Sequence, residues 1–233
     1  MKIALFGISE IKLGRHNLKD PRLDLAHKLV AADKKTYAQV EVVGEDQLLE
    51  SDALLALQET KADLILRDLE FVETRLGREP QTAERAALER IKALLENEQF
   101  LFSSSLSAED LAAVAAHSFL TAKPTTVISR QDLAALDNVL LRIFHEAGYI
   151  SFLTVGGKEN RAWPIRRGTT AWEAAGSIHT DLQKGFIRAE IISFADFSAT
   201  GGETQAKRAG KLRLETKQYV MQDCDLVNFR FSK

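Results

Sequence analysis

The sequence predicts an α/β fold, α+β in its overall balance, built in two parts, and three observations predict it. Residues 1–144 open on a short apolar run ended by glycine, Lys2-Ile-Ala-Leu-Phe-Gly7, which is the pattern of a buried strand. Two amphipathic stretches joined by Gly77-Arg-Glu-Pro80 then read as an antiparallel helical hairpin. From 145 to 233 the order becomes strand, strand, helix and further strands, the order of a β-grasp (ubiquitin-like) domain.

The bulk properties are those of a globular chain large enough to bury a real core: 233 residues, 45% hydrophobic and 27% charged. A single cysteine, Cys224, excludes an internal disulfide and any multi-cysteine metal site. The N-terminus lacks the long apolar core of a signal peptide, and no apolar run approaches the roughly 20 residues that span a bilayer, so a cytoplasmic protein is expected. Net charge is −2, which speaks against a general nucleic-acid binder. It is unevenly spread: residues 145–233 carry 13 Lys/Arg against 10 Asp/Glu, and residues 1–144 carry 18 against 23. The C-terminal excess of +3 is a weak footprint for phosphates.

After the first strand, Asp20-Pro21-Arg22 starts a helix to about Val30, with proline in the first turn where its missing N–H costs nothing. Tyr37–Val43 is rich in β-branched residues and reads as a strand. From about Asp46 to Leu76 there is neither proline nor glycine, and Ala62, Ile65, Leu69, Val72 and Leu76 recur every three or four residues, which predicts one long helix. The second helix of the hairpin covers about Thr82–Asn97, with Leu88, Ile91 and Leu95 on one side. The outer faces are heavily charged, as in a solvated coiled-coil arm over about 46–97, with a dedicated partner surface as the alternative.

Ser107 followed by Asp110 is a capping-box start for a helix to about Leu120. Thr125–Ile128 reads as a strand and Arg130–Ala147 as a helix ended by Gly148. In the C-terminal part Ile150–Val155, Ala162–Arg166, Phe186–Phe194, Tyr219–Met221 and Leu226–Phe231 read as strands, and Thr170–Leu182 as a helix with a threonine cap.

Two strings are specific. Arg161-Ala-Trp-Pro-Ile-Arg-Arg-Gly-Thr-Thr-Ala-Trp-Glu-Ala-Ala-Gly-Ser-Ile-His-Thr-Asp181, followed by Lys184-Gly-Phe-Ile-Arg-Ala-Glu190, resembles the TGS domain of YchF-type Obg-like ATPases. So do Gly210–Glu215, Tyr219–Asp223 and Asn228–Phe231. Upstream, Asp20–Asp24 and Lys35–Glu41 resemble the segment before that family's switch II. Ala62–Leu76 resembles the start of its helical arm, and Phe119–Pro124 the approach to its base-specificity loop. The resemblance implies a reduced P-loop-NTPase-like remnant bearing the arm (1–144) and a TGS domain (145–233).

The departures concern the nucleotide machinery. The family's phosphate loop is Gly-x-x-x-x-Gly-Lys-Ser/Thr, whose amides and lysine hold phosphate and whose hydroxyl holds magnesium. Here the stretch is Gly7-Ile-Ser-Glu-Ile-Lys-Leu-Gly14, without the Gly-Lys pair and with Glu10 inside the loop. Gly44-Glu-Asp-Gln47 stands in place of the Asp-x-x-Gly turn, and Ile128-Ser-Arg-Gln131 in place of Asn-x-x-Glu. With all three elements altered, no catalytic residue, cofactor or metal site is expected, and nucleotide binding is not expected either.

The histidines (His16, His27, His117, His145, His179) show no metal-ligand spacing, and Cys224 stands where the family usually has glycine in a turn, a substitution carrying backbone strain or, as the alternative, a redox role. The candidate contact residues are Arg161, Trp163, Arg166, Arg167, His179, Lys184, Arg188, Lys211 and Arg213, since arginines beside aromatics can pair with and stack on RNA. The alternative is that the tryptophans pack the core and the cations are solvated. The function this implies is a non-catalytic, TGS-bearing factor whose partners are the ribosome or RNA, with a protein partner on the arm and no membrane. A residual ATP/GTP-binding NTPase and a small-ligand sensor are the alternatives.

Overall fold

A computed structural model describes residues 1–232. In chain order the elements are β1 (Lys2–Phe6), β2 (Gly14–Asn17), α1 (Pro21–Leu29), β3 (Lys34–Thr36), β4 (Gln39–Val43), β5 (Ala53–Leu57), α2 (Lys61–Leu76) and α3 (Thr82–Glu96). There follow α4 (Ala108–Ala113), β6 (Thr125–Ile128), α5 (Leu136–Glu146), β7 (Tyr149–Thr154) and β8 (Glu159–Arg166). The last are α6 (Ala171–Ile178), α7 (Thr180–Lys184), β9 (Phe186–Ile192), α8 (Phe194–Thr200), α9 (Glu203–Arg208), β10 (Arg213–Glu215) and β11 (Leu226–Phe231). The chain divides into two compact units, one made of Met1–His16 with Val40–Ala147, the other of Asn17–Gln39 with the chain from Gly148 onward. No helix among the described residues is long and apolar enough to cross a membrane.

The first unit is built on a five-stranded sheet of order β2-β4-β1-β5-β6, in which β1 runs parallel to β4 and β5, and β5 parallel to β6. Central parallel strands are covered on both faces and therefore need unbroken apolar sequence. Ala53-Leu-Leu-Ala-Leu57 is such a strand, every residue buried. This corrects the expected helix from Asp46: the long helix begins only at Lys61, after a 3-10 turn at Glu45–Gln47 and this strand. A short apolar run has no period that separates buried strand from buried helix, so pairing with β1 and β6 decided it.

Helices α2 and α3 pack together across the Gly77–Gln81 turn, burying Ile65 and Val72 with Leu88, Ile91 and Leu95, while Leu69 and Leu76 are partly buried and Ala62 is exposed. The helix opened by Ser107 has its capping box but stops at Ala113 rather than Leu120. Farther along, buried Asp68 of α2 accepts hydrogen bonds from the Leu120 amide (3.0 Å), the Thr121 amide (2.8 Å) and the Thr121 hydroxyl (2.6 Å), so these two amides are bonded to a side chain and not to a helical turn. Residues Arg130–Ala135 wind as 3-10 turns before α5 starts at Leu136, shortening the helix expected from Arg130.

The second unit holds a six-stranded sheet of order β10-β9-β11-β7-β8-β3. Strands β7 and β8 form an antiparallel hairpin, β9 pairs antiparallel with β11 and β10, and β11 lies parallel beside β7. Phe152, Ile165, Ile191 and Phe229 from the sheet meet Ala174 and Ala175 of α6 in one core. The strand expected at Tyr37–Val43 is β4, which joins the first sheet, while β3, just upstream, was not expected and pairs parallel with β8. The expected helix Thr170–Leu182 is broken at His179, whose extended backbone (φ −161°) ends α6 and caps α7. Tyr219–Met221 is not a strand but a single bridge, Thr170 to Val220. Helices α8 and α9 and strand β10 fill the stretch between β9 and that bridge, where no element was expected.

Candidate functional site

The loop after β1 was the sequence's first suspect, and its geometry is explicit. Gly7 takes φ +67°, turning the chain sharply at the end of β1. Its amide donates to Glu45 Oε1 at 3.0 Å. Glu45 in turn pairs with Arg67 at 3.2 Å, and the Arg67 guanidinium lies 4.6 Å over the Phe6 ring. Two residues on, the Ser9 amide donates to Glu10 Oε2 at 2.9 Å. Hydrogen bonds from the backbone amides of Glu10 and Ser9, with the nearby Arg130 guanidinium, hold the Glu10 carboxyl below the usual carboxylate range. Arg130 bridges the loop to Glu59 at 2.6 Å and ion-pairs with Glu10.

The Gly7 and Ser9 amides therefore face carboxylates of the chain itself. A phosphate group entering here would meet two negative charges at hydrogen-bond range and one arginine already shared between two acids. The loop opens onto strand β2 rather than directly onto a helix. Of this constellation the sequence pointed only to Glu10. Glu45, Glu59 and Arg130 escaped it, although Glu45 and Arg130 lie within stretches the sequence reading had quoted, at 44–47 and 128–131.

The basic residues singled out in the second unit fall into separate groups. Arg161 and Trp163 share the core-facing side of β8, and the guanidinium stacks 3.9 Å above the indole. The ring also lies nearly parallel to Phe152, with centroids 6.3 Å apart, and its N–H donates to Thr154 Oγ1 at 3.0 Å. Trp163 is thus partly core, with Arg161 as its solvent-side lid. Arg166 and Arg188 alternate to the opposite side of the sheet, Arg166 lying 4.5 Å over Tyr149 and Arg188 pairing in register with Arg230. Arg167 sits in the turn beyond β8, its amide bonded to the Gly148 carbonyl at 2.7 Å.

His179 accepts the Asp181 amide at 3.1 Å as the cap of α7, and Lys184 ends that helix. Lys211 pairs with Asp196 at 3.1 Å. Arg213 donates to the Tyr219 hydroxyl at 3.0 Å, which itself donates to buried Asp225 at 2.8 Å. Burial first, and then the Asp225 carboxylate, push the Tyr219 hydroxyl up to about 12. The nine residues make one tight stack, Arg161 on Trp163, and several solvated or ion-paired cations on both sides of the sheet.

Comparison with known proteins follows the same outline. A family model, YchF-GTPase_C, described as a protein of unknown function (DUF933), matches residues 149–232. The ribosome-binding ATPase YchF of Haemophilus influenzae is 32% identical over 78% of this chain and 67% of its own length. That of Escherichia coli O157:H7 is 37% identical over 67% of this chain and 58% of its own. Obg-like ATPase 1 of Danio rerio is 49% identical over a shorter stretch, 35% of this chain and 20% of its own. The chain thus spans 58–67% of the length of the two bacterial relatives. Among solved structures, the YchF GTPase of Schizosaccharomyces pombe superposes with a TM-score of 0.77 over 99% of this chain and 97% of that one, at 18% identity, a likeness of fold alone.

Proposed function

The chain belongs to the YchF family, and we propose that it is a member that docks rather than hydrolyses: an interaction factor linked to the ribosome or RNA, with its contact surface on a TGS-type β-grasp unit. The single observation that carries this reading is the occupied loop, in which Glu45 and Glu10 take the Gly7 and Ser9 amides. A site whose donors are satisfied internally gains little from a nucleotide and must break two charge-assisted hydrogen bonds to admit one. The β-grasp reading is supported by the run β8-β7-β11-β9-β10 in the second sheet, with an initial hairpin, a helix across it and the last strand parallel beside the first. Ribosome binding stands in the names of the bacterial relatives. For this chain we assign the contact to Arg161, Trp163, Arg166, Arg167, His179, Lys184, Arg188, Lys211 and Arg213, with the Arg161–Trp163 stack as its centre.

Residual nucleotide binding is the second reading. It is favoured by Gly7, which still makes the sharp turn at the end of β1 where a phosphate loop would begin, and by the relatives being named ATPases. Thermal unfolding with and without ATP or GTP plus magnesium separates the two. A ligand at 100 times its Kd adds about 2.7 kcal/mol, so a competent site gives a clear rise in Tm. We expect no shift, together with co-sedimentation with ribosomes that weakens in Arg161→Glu and Arg188→Glu variants. A magnesium-dependent shift would restore the enzyme reading.

A further inference from the structure

In the first unit a groove runs between the segment Glu45–Glu50 and helix α2. Leu48 and Leu120 are buried in its floor, while Leu49 and Phe71 remain 58% and 40% exposed. Phe71 is braced edge-on by His117 and Phe119, with ring centroids 5.2 and 5.6 Å away, so its exposed face is held in place. Asp68 is buried and takes three hydrogen bonds from Leu120 and Thr121, so it is turned to the protein rather than to the groove's opening. The rim is acidic. Asp46 and Glu50 are exposed and form no ion pair among the described residues. The only cation of the lining, Arg67, is committed to Glu45 and to the Phe6 ring.

Large apolar side chains held open beside unpaired charge of one sign are the makings of a hot spot with an electrostatic rim. The sign selects the partner. Two free carboxylates repel the phosphates of a nucleic acid and attract lysine or arginine, and the acidic excess of residues 1–144 adds a field of the same sign. We propose that this groove docks a short basic–apolar segment of a protein partner. One large apolar side chain of that segment sits between Leu49 and Phe71, and flanking cations face Asp46 and Glu50.

The test is fluorescence anisotropy with the full chain and a labelled peptide of about a dozen residues, carrying a central Leu-Phe pair between runs of lysine. A second peptide has glutamate in place of lysine, and a single-stranded RNA of similar length serves as a third probe. The proposal expects saturable binding of the lysine peptide, weakened about tenfold by Leu49→Asp. In Asp46→Lys/Glu50→Lys the preference passes to the glutamate peptide. These side chains are exposed, and circular dichroism checks that the variants stay folded. No saturable binding of the lysine peptide, binding indifferent to these substitutions, or RNA binding lost in the same variants would overturn it. Asp46, Leu49 and Glu50 take no part in the loop hydrogen bonds around Gly7 and Ser9, so this result and the nucleotide result fail separately.

Discussion

Gly7 stands where two requirements coincide. Its φ of +67° favours glycine, and a Cβ there would collide with Thr60 Cγ2 and sit 2.9 Å from Thr60 Oγ1. Close packing against Thr60 therefore explains this glycine without any appeal to phosphate. Gly7→Ala is expected to lose about 2 kcal/mol in urea unfolding, and Gly7→Ala/Thr60→Ala to recover the steric part but not the backbone part. Cys224 is the converse case: a non-glycine residue at φ +60°, as the family resemblance implied for a turn where glycine is usual. Its thiol is 1% exposed, and burial, reinforced by Asp20, pushes its ionisation far up. A buried, protonated thiol is a poor nucleophile. Mass spectrometry after iodoacetamide at pH 8 should find the native protein unmodified and the urea-unfolded chain carrying one adduct.

At the scale of elements, the α2–α3 pair is tied by Glu84. This carboxylate takes Arg75 Nε at 2.6 Å and Nη2 at 2.9 Å, and His117 Nε2 at 2.8 Å. Arg75 first and His117 second hold its carboxyl down to about 2, against 4.5 for a free glutamate. A carboxyl whose folded value lies below its unfolded value stabilises the fold fully above the unfolded value, and the contribution disappears as pH falls towards the folded one. The urea midpoint should therefore decline between about pH 5 and pH 2, and Glu84→Gln should flatten that decline while lowering the midpoint at neutral pH. An unchanged slope in the variant would mean that other carboxylates govern acid unfolding.

At the scale of the whole chain, the second unit is discontinuous, because Asn17–Gln39 folds with the chain after Gly148. Asn160 is fully buried; it donates to the Val30 carbonyl at 2.6 Å, accepts from the Gly156 amide at 2.8 Å and meets His27 Nδ1 at 3.0 Å. Arg22 reaches Asp223 at 2.6 Å, and β3 closes the β8 edge. A fragment of residues 148–233 keeps the Gly156 amide but loses Val30, His27, Arg22 and β3, with the Asn160 amide group alone costing about 1–3 kcal/mol once unsatisfied. Circular dichroism melting should show that fragment weakly cooperative, and joining residues 17–39 to its N-terminus through a flexible linker should restore a sharp transition.

What was legible beforehand follows from the range of the interactions. Caps are local, so the Ser107–Asp110 box, the Thr170 cap and the proline-led start of α1 could be read from neighbouring letters, whereas the strained turn at Cys224 was implied only by the family resemblance. The alternation along β11 and the apolar stripe on α3 are equally local patterns. The identity of Ala53–Leu57 as a strand depended on neighbours at both its edges, and the placement of Leu120 and Thr121 on one carboxylate more than fifty residues upstream. The loop followed the same division: Glu10 lies inside it and was visible, whereas Glu45, Glu59 and Arg130 come from 35 to 120 residues away. Propensity and capping act over a few residues, while sheet pairing and charge pairing act across the closed fold, so the sequence carries the first as pattern and the second only through folding.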